Sequence, residues 1–158
     1  MLNTGPLVIV YRFTHASLER NLEGVTDEEA LVPASPGGNC ANWIVGHLLW
    51  SRDGVHTLLG LDRAWPATMA PSDAYRRGST GFATDRAIPL GELRDALGRS
   101  QAVVLAALEQ VTADRLLERA TEKMTVGERL AFLGFHEGYH VGQVGALRRA
   151  LGKPGAIK

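Results

Sequence analysis

The sequence predicts an all-α protein: a four-helix bundle with one long crossover between its second and third helices. Three observations carry that expectation. Four segments of roughly 20 residues repeat their apolar positions at helical spacing, and no run alternates with period two. Between them, residues 60–88 hold Pro66, Pro71, Gly78 and Gly81 and keep no sustained period.

The first helix is expected from about Pro6 to Val25, with Thr4 as cap and a proline in the first turn, where a missing N–H costs little. Val8, Tyr11, His15, Leu18, Leu22 and Val25 then share one stripe. Thr26 with Glu29 reads as a capping box on a short helical turn, and 32–38 reads as loop. The second helix is expected from Asn39 to Gly60, with Cys40, Trp43, His47, Trp50, Gly54, Leu58 and Leu61 inward. The crossover is long enough to suggest a lid, with a short helical piece near Ser72 to Arg77. The third helix runs from about Pro89 to Val111 and turns Leu93, Leu97, Ser100, Val104, Leu108 and Val111 inward. The fourth opens on a capping box at Thr125 and Glu128 and continues to Leu151, where Gly152 and Pro154 stop it. Its stripe reads Leu133, His136, His140, Val144, Leu147 and Leu151.

The whole chain, residues 1–158, reads as a single domain, long enough to bury about two thirds of its unfolded surface. Seventeen basic against seventeen acidic residues leave no electrostatic footprint for nucleic acid or anionic lipid. One cysteine excludes a disulfide framework and a thiolate zinc cluster, and it fits a reducing, cytoplasmic compartment. No apolar run approaches the roughly 18 residues of a membrane span, and the opening residues do not resemble a secretory signal.

Histidine is the informative residue. At about 100° per residue, His136 and His140 share a face, with Cβ atoms about 5–6 Å apart. His47 lies on the stripe of the second helix and His15 on that of the first. His56, nine residues after His47, is expected about 180° away and facing out. An inward i, i+4 pair is hard to satisfy as mere packing, since each ring nitrogen then needs its own buried partner. With a third histidine on a facing stripe, the pattern favours a metal site.

His136 to His140 also matches the zincin string His-Glu-x-x-His, with Glu137 in the place of the general base. That reading is disfavoured, because 141–158 contains no His, Asp or Glu to supply a third ligand. Glu137, Gln143 and His15 remain weak catalytic candidates, with Gln143 placed to hydrogen-bond a ligand. Tyr11 and Tyr139 read as packing at a pocket wall, and Cys40 as a small buried residue about 10 Å along the helix from His47. The pairs Arg76-Arg77 and Arg148-Arg149 read as solvated surface.

Taken together, Asn42-Trp43-Ile-Val-Gly46-His47-Leu, Thr125-Val-Gly-Glu-Arg-Leu, His136-Glu-Gly-Tyr-His140-Val-Gly-Gln143 and Leu147-Arg-Arg-Ala-Leu-Gly152-Lys resemble the DinB-like (damage-inducible) superfamily. That superfamily includes YfiT-like metal-dependent hydrolases and mycothiol- and bacillithiol-dependent transferases. The resemblance covers nearly the whole chain, least well at 60–88. It implies a four-helix bundle with a three-histidine site for a divalent ion, zinc or nickel, held by His47, His136 and His140. It does not imply contact with DNA, and His15 is a departure from the pattern.

Two functions follow as expectations. One is a metal-dependent enzyme, a hydrolase or a low-molecular-weight-thiol S-transferase, acting on a small-molecule substrate at an open site. The alternative is a non-catalytic metal-binding stress-response protein or scaffold, whose site is closed by a fourth ligand. Thiol transfer calls for a basic group near the pocket, which the sequence does not place. Finally, Gly127, Gly134, Gly138 and Gly145 line up opposite His136, with Ala131 and Val141 beside them. A homodimer packed partly through that glycine line is therefore expected.

Overall fold

The computed structural model describes residues 3–70, 72–78 and 84–157; Pro71 and Gly81, named above, lie outside them. The described residues form six helices and no strand. Four are long: α1 (Gly5–Leu22), α3 (Ala41–Leu59), α4 (Leu90–Leu108) and α6 (Val126–Ala150). Two are short: α2 (Asp27–Ala30) and α5 (Ala113–Leu117).

Local chemistry sets the ends. The boxes Thr26–Glu29 and Thr125–Glu128 both close, each hydroxyl accepting the backbone N–H and each carboxylate reaching back to the cap. Cys40 caps α3 with its Sγ, and Gly60 ends that helix in the left-handed conformation at φ 69°. Thr4 flanks α1 without a side-chain bond; Asn3 Oδ1 instead accepts from the Gly5 N–H at 2.9 Å. Helix α5, capped by Thr112, is an element the periodicity did not reveal, because five residues are too few to establish a period.

Around the bundle α1 packs on α6, α6 on α3, α3 on α4, and α4 back on α1. Its apolar core is split in two. One cluster surrounds Ile44, Leu48, Leu93 and Val144, and the other surrounds Tyr11, Val55, Leu108 and Leu130. Between them lies a buried polar layer. Arg52 of α3 makes a two-pronged ion pair with Glu137 of α6, through Nε to Oε1 and through Nη2 to Oε2 at 2.9 Å. Its Nη2 also reaches Gln101 Oε1 of α4 at 2.7 Å, and Gln101 donates to the Tyr11 carbonyl of α1 at 3.0 Å. All four long helices are thus tied at one level. Arg52 is 1% exposed, a burial tolerated only because the charge is paired.

Two expectations about orientation are corrected. His56 is buried at 5% exposure: its Nδ1–H donates to the Asp62 carbonyl at 2.5 Å, and its Nε2 accepts from Ser100 Oγ at 2.8 Å. Ser100 of α4 and the Asp62 carbonyl cover that face of α3, and the exposed side falls instead at Thr57 and at Gly54, which was expected inward. The glycine line on α6 is also mostly covered by the chain itself. Gly134 faces Val10 and Tyr11, Gly145 faces Asn21, and Gly127 faces Leu116. Only Gly138 of that line looks into open space. The groove expected to receive a second subunit is filled by α1.

The crossover is anchored. A 3₁₀ turn at Ser72–Tyr75 lies against α3, where the Tyr75 ring covers Gly46 so closely that any Cβ there would collide with it. Asn42 holds both ends of the following segment: its Nδ2 donates to the Ile88 carbonyl at 2.8 Å and its Oδ1 accepts from Tyr75 Oη at 3.0 Å. The Ile88 N–H in turn donates to Tyr75 Oη at 2.9 Å.

Candidate metal centre

The sequence motif on α3 builds one wall of a site. Asn42 and Gly46 seat Tyr75, and the Tyr75 carbonyl accepts the Nδ1–H of His47 at 2.8 Å. With Nδ1 committed, the His47 Nε2 lone pair points away from the crossover and toward α6. There it lies 3.3 Å from His136 Nε2. His140, one turn further along α6, donates its Nδ1–H to Gln143 Oε1 at 2.9 Å, which frees its own Nε2. One nitrogen from each of His47, His136 and His140 falls within 4.8 Å of the others.

Aromatic rings hold the imidazoles in place. Trp43 stacks on His47 at 4.7 Å with planes 8° apart, and Trp50 stacks at 5.6 Å. Tyr139 meets His140 edge-on at 5.3 Å. Burial lowers the proton affinity of all three histidines. His136 is pushed down to about 4, by burial first, then by its neighbours His140 and His47, then by Arg77 and Arg129.

The donor set suits a divalent ion. Two neutral imidazoles whose Nδ1–H groups are already used present lone pairs to a common point, and lone pairs in proximity repel unless a cation lies between them. Three neutral nitrogen donors, with no carboxylate joining them among the described residues, match a centre that keeps a coordination position for a small ligand.

The other candidates lie elsewhere. Glu137 turns away from the imidazoles into its ion pair with Arg52, where burial raises its carboxyl and Arg52 pulls it back. His15 is half-buried between α1 and α4, beside Glu19 and Arg94, and takes no part in the cluster. Gln143 stands where its spacing placed it, holding His140. Tyr11 is buried, and its hydroxyl donates to the Leu130 carbonyl at 2.9 Å, whereas Tyr139 is 60% exposed at the site's edge. Cys40 is buried at the cap of α3, as expected. Of the two basic pairs, Arg76, Arg77 and Arg149 are exposed, as expected, and only Arg148 is partly buried. Arg148 donates to the Asn21, Glu23 and Pro154 carbonyls. Sequence reasoning missed Tyr75, because a backbone carbonyl leaves no mark in a sequence. Its one indirect signal is Gly46, a glycine inside a helix with no other need for one.

The chain belongs to the DinB superfamily, whose family profile matches residues 11–144. No curated protein matches it. Among solved structures it is similar to a conserved protein from Enterococcus faecalis, with a TM-score of 0.77 over 97% of this chain and 99% of that one. At 20% identity that likeness speaks for the fold alone.

Proposed function

We propose that this protein is a metal-dependent enzyme that transfers a low-molecular-weight thiol, with His47, His136 and His140 holding a zinc or nickel ion. The observation that carries the reading is the convergence of three neutral imidazoles with no fourth protein ligand and no carboxylate among the described residues. Such an ion, when bound, lowers the pKa of a coordinated thiol or water. The chain's own groups do the rest. Tyr75 and Gln143 fix two imidazoles in the tautomer that offers Nε2, and Trp43 and Trp50 keep water from the His47 flank. Hydrolysis is the second reading within the same class. Thiol transfer is favoured because Glu137, the residue that would serve as general base, is engaged by Arg52. The reaction is placed in the cytoplasm, where one buried, unpaired cysteine and a small-thiol pool are both at home. Among the described residues, no helix is long and apolar enough to cross a membrane.

The test begins with metal content. Protein purified without chelator or affinity tag should carry about one divalent ion per chain, and His47→Ala or His140→Ala should lose it. Wild-type protein that stays metal-free after added zinc or nickel overturns the reading. Metallated protein should then be assayed against small thiols with an electrophile, where thiol consumption is expected in wild type and absent in His140→Ala.

The homodimer is also proposed, on a different surface from the glycine line. Phe13 of α1 and Phe135 and Tyr139 of α6 are 69%, 69% and 60% exposed on the outer side of those helices. Glu128 and Arg149 are exposed on α6, ten residues before and eleven after Gly138, so an antiparallel second copy brings opposite charges together.

A further inference from the structure

A second pair of reactive groups lies away from the histidine cluster. His56 follows His47 by nine residues, about 13.5 Å along α3 and on the opposite side of the helix. A backbone carbonyl only accepts hydrogen bonds, so the 2.5 Å contact between His56 Nδ1 and the Asp62 carbonyl puts a proton on Nδ1. In the neutral ring Nε2 is then an acceptor, and the Ser100 hydroxyl of α4 donates to it at 2.8 Å. A hydroxyl, a base within reach of its proton and a third group that orients the base together make a serine nucleophilic.

A buried serine and histidine are more often packing, and the cavity beside them is what distinguishes this pair. It measures about 380 Å³, and both His56 and Ser100 line it. Leu61, Ala96 and Val103 give it an apolar wall. Arg99, next to Ser100 in sequence, lines it too and is exposed. Among the described residues Arg99 has no carboxylate within 4 Å, whereas Arg63, also on the cavity, is held by Asp53 at 2.7 Å. One cation is thus available to an oxygen that turns anionic.

We propose that Ser100 and His56 form a second catalytic centre, which hydrolyses small carboxylic esters with an apolar acyl group and is independent of the metal centre. Ser100 Oγ bonds to the ester carbonyl carbon while its proton passes to His56 Nε2. The bond from that carbon to the alcohol oxygen breaks, and the alcohol leaves with the proton from Nε2. Water then attacks the acyl-serine through the same base, releasing the carboxylic acid and restoring the hydroxyl.

The test treats purified protein with diisopropyl fluorophosphate, which loses fluoride as the serine oxygen bonds to phosphorus, and locates the adduct by peptide mass mapping. One adduct on Ser100 is expected, with or without a chelator. Labelling should vanish in Ser100→Ala and slow by about a hundredfold in His56→Gln, with folding followed by circular dichroism. In chelator-treated protein, hydrolysis of p-nitrophenyl butyrate should fall to the buffer rate in Ser100→Ala. That variant removes only a hydroxyl, so its comparison with wild type decides the matter even where His56→Gln fails to fold. No adduct on Ser100 in wild type, equally fast labelling in folded His56→Gln, labelling lost with chelator, or ester hydrolysis undiminished in Ser100→Ala overturns the second centre and leaves the metal centre standing.

Discussion

Arg52 is the most consequential single side chain outside the histidines. Removing its charge alone strands the Glu137 carboxylate in the core, so Arg52→Met is expected to cost roughly 3–5 kcal/mol. Adding Glu137→Leu should recover most of that loss, because two apolar groups of similar volume then fill the layer. Urea denaturation of wild type and the two variants checks both statements, and a double variant no more stable than the single would contradict them. The histidines give a pH dependence of definite sign. His136 is held down to about 4 in the folded chain, against 6.5 when unfolded. Its neutral form therefore contributes stability that is complete above pH 6.5 and is lost as pH falls from 6.5 toward 4. Denaturation midpoints of metal-free protein should drop through that window, and His136→Gln should shallow the slope.

Among the elements, α3 and α6 explain how much of the site was legible. Both helices announced themselves by period and caps, and the three histidines fell together because i, i+4 spacing and a shared level are properties of the sequence. What the spacing did not give was the direction of the interior. On α6 the buried face is centred on Glu137, Leu130, Val141 and Val144, with the histidines on its border. Taking the histidines as the inward direction turned the helix by roughly 100°, which put Glu137 at the edge and the glycines outside. The same displacement on α3 sent His56 to solvent. A ligand site belongs at the border of a buried face, since a fully enclosed imidazole has no room for substrate. Gly46 tests how far α3 governs its neighbour. Gly46→Ala must push the Tyr75 ring aside, and with it the carbonyl that holds His47. A loss of about 1–3 kcal/mol and of about tenfold or more in zinc affinity is expected. Gly142→Ala, with nothing within 4 Å of the added carbon, is the control, and its stability should be equal or up to about 1 kcal/mol higher. Unchanged zinc binding in Gly46→Ala would separate Tyr75 from the site.

For the whole molecule, the proposed dimer surface is the outer side of α1 and α6. Phe135→Glu should convert the proposed dimer to monomers in light scattering with metal binding unchanged, because the side chain is 69% exposed and is not among the three histidines that could hold an ion. A wild-type monomer at micromolar concentration would count against the proposed surface. The polar layer through the core has a different effect at this scale. Sliding any one long helix by a turn would part Arg52, Glu137, Gln101 and the Tyr11 carbonyl at once, so the layer favours a single alignment of the bundle.

The clasp between Tyr75 and Ile88 bears on how such a protein can diversify. Because the hydroxyl of one receives the N–H of the other, and Asn42 grips both, the two ends of the stretch between Tyr75 and Ile88 are held side by side on α3. Residues 76–87 can then lengthen or shorten without disturbing Asn42, Gly46 or His47, at a closure cost of only about 0.6 kcal/mol per doubling of length. Insertion and deletion in one short stretch of gene can thus vary the crossover while His47, His136, His140 and the bundle go untouched.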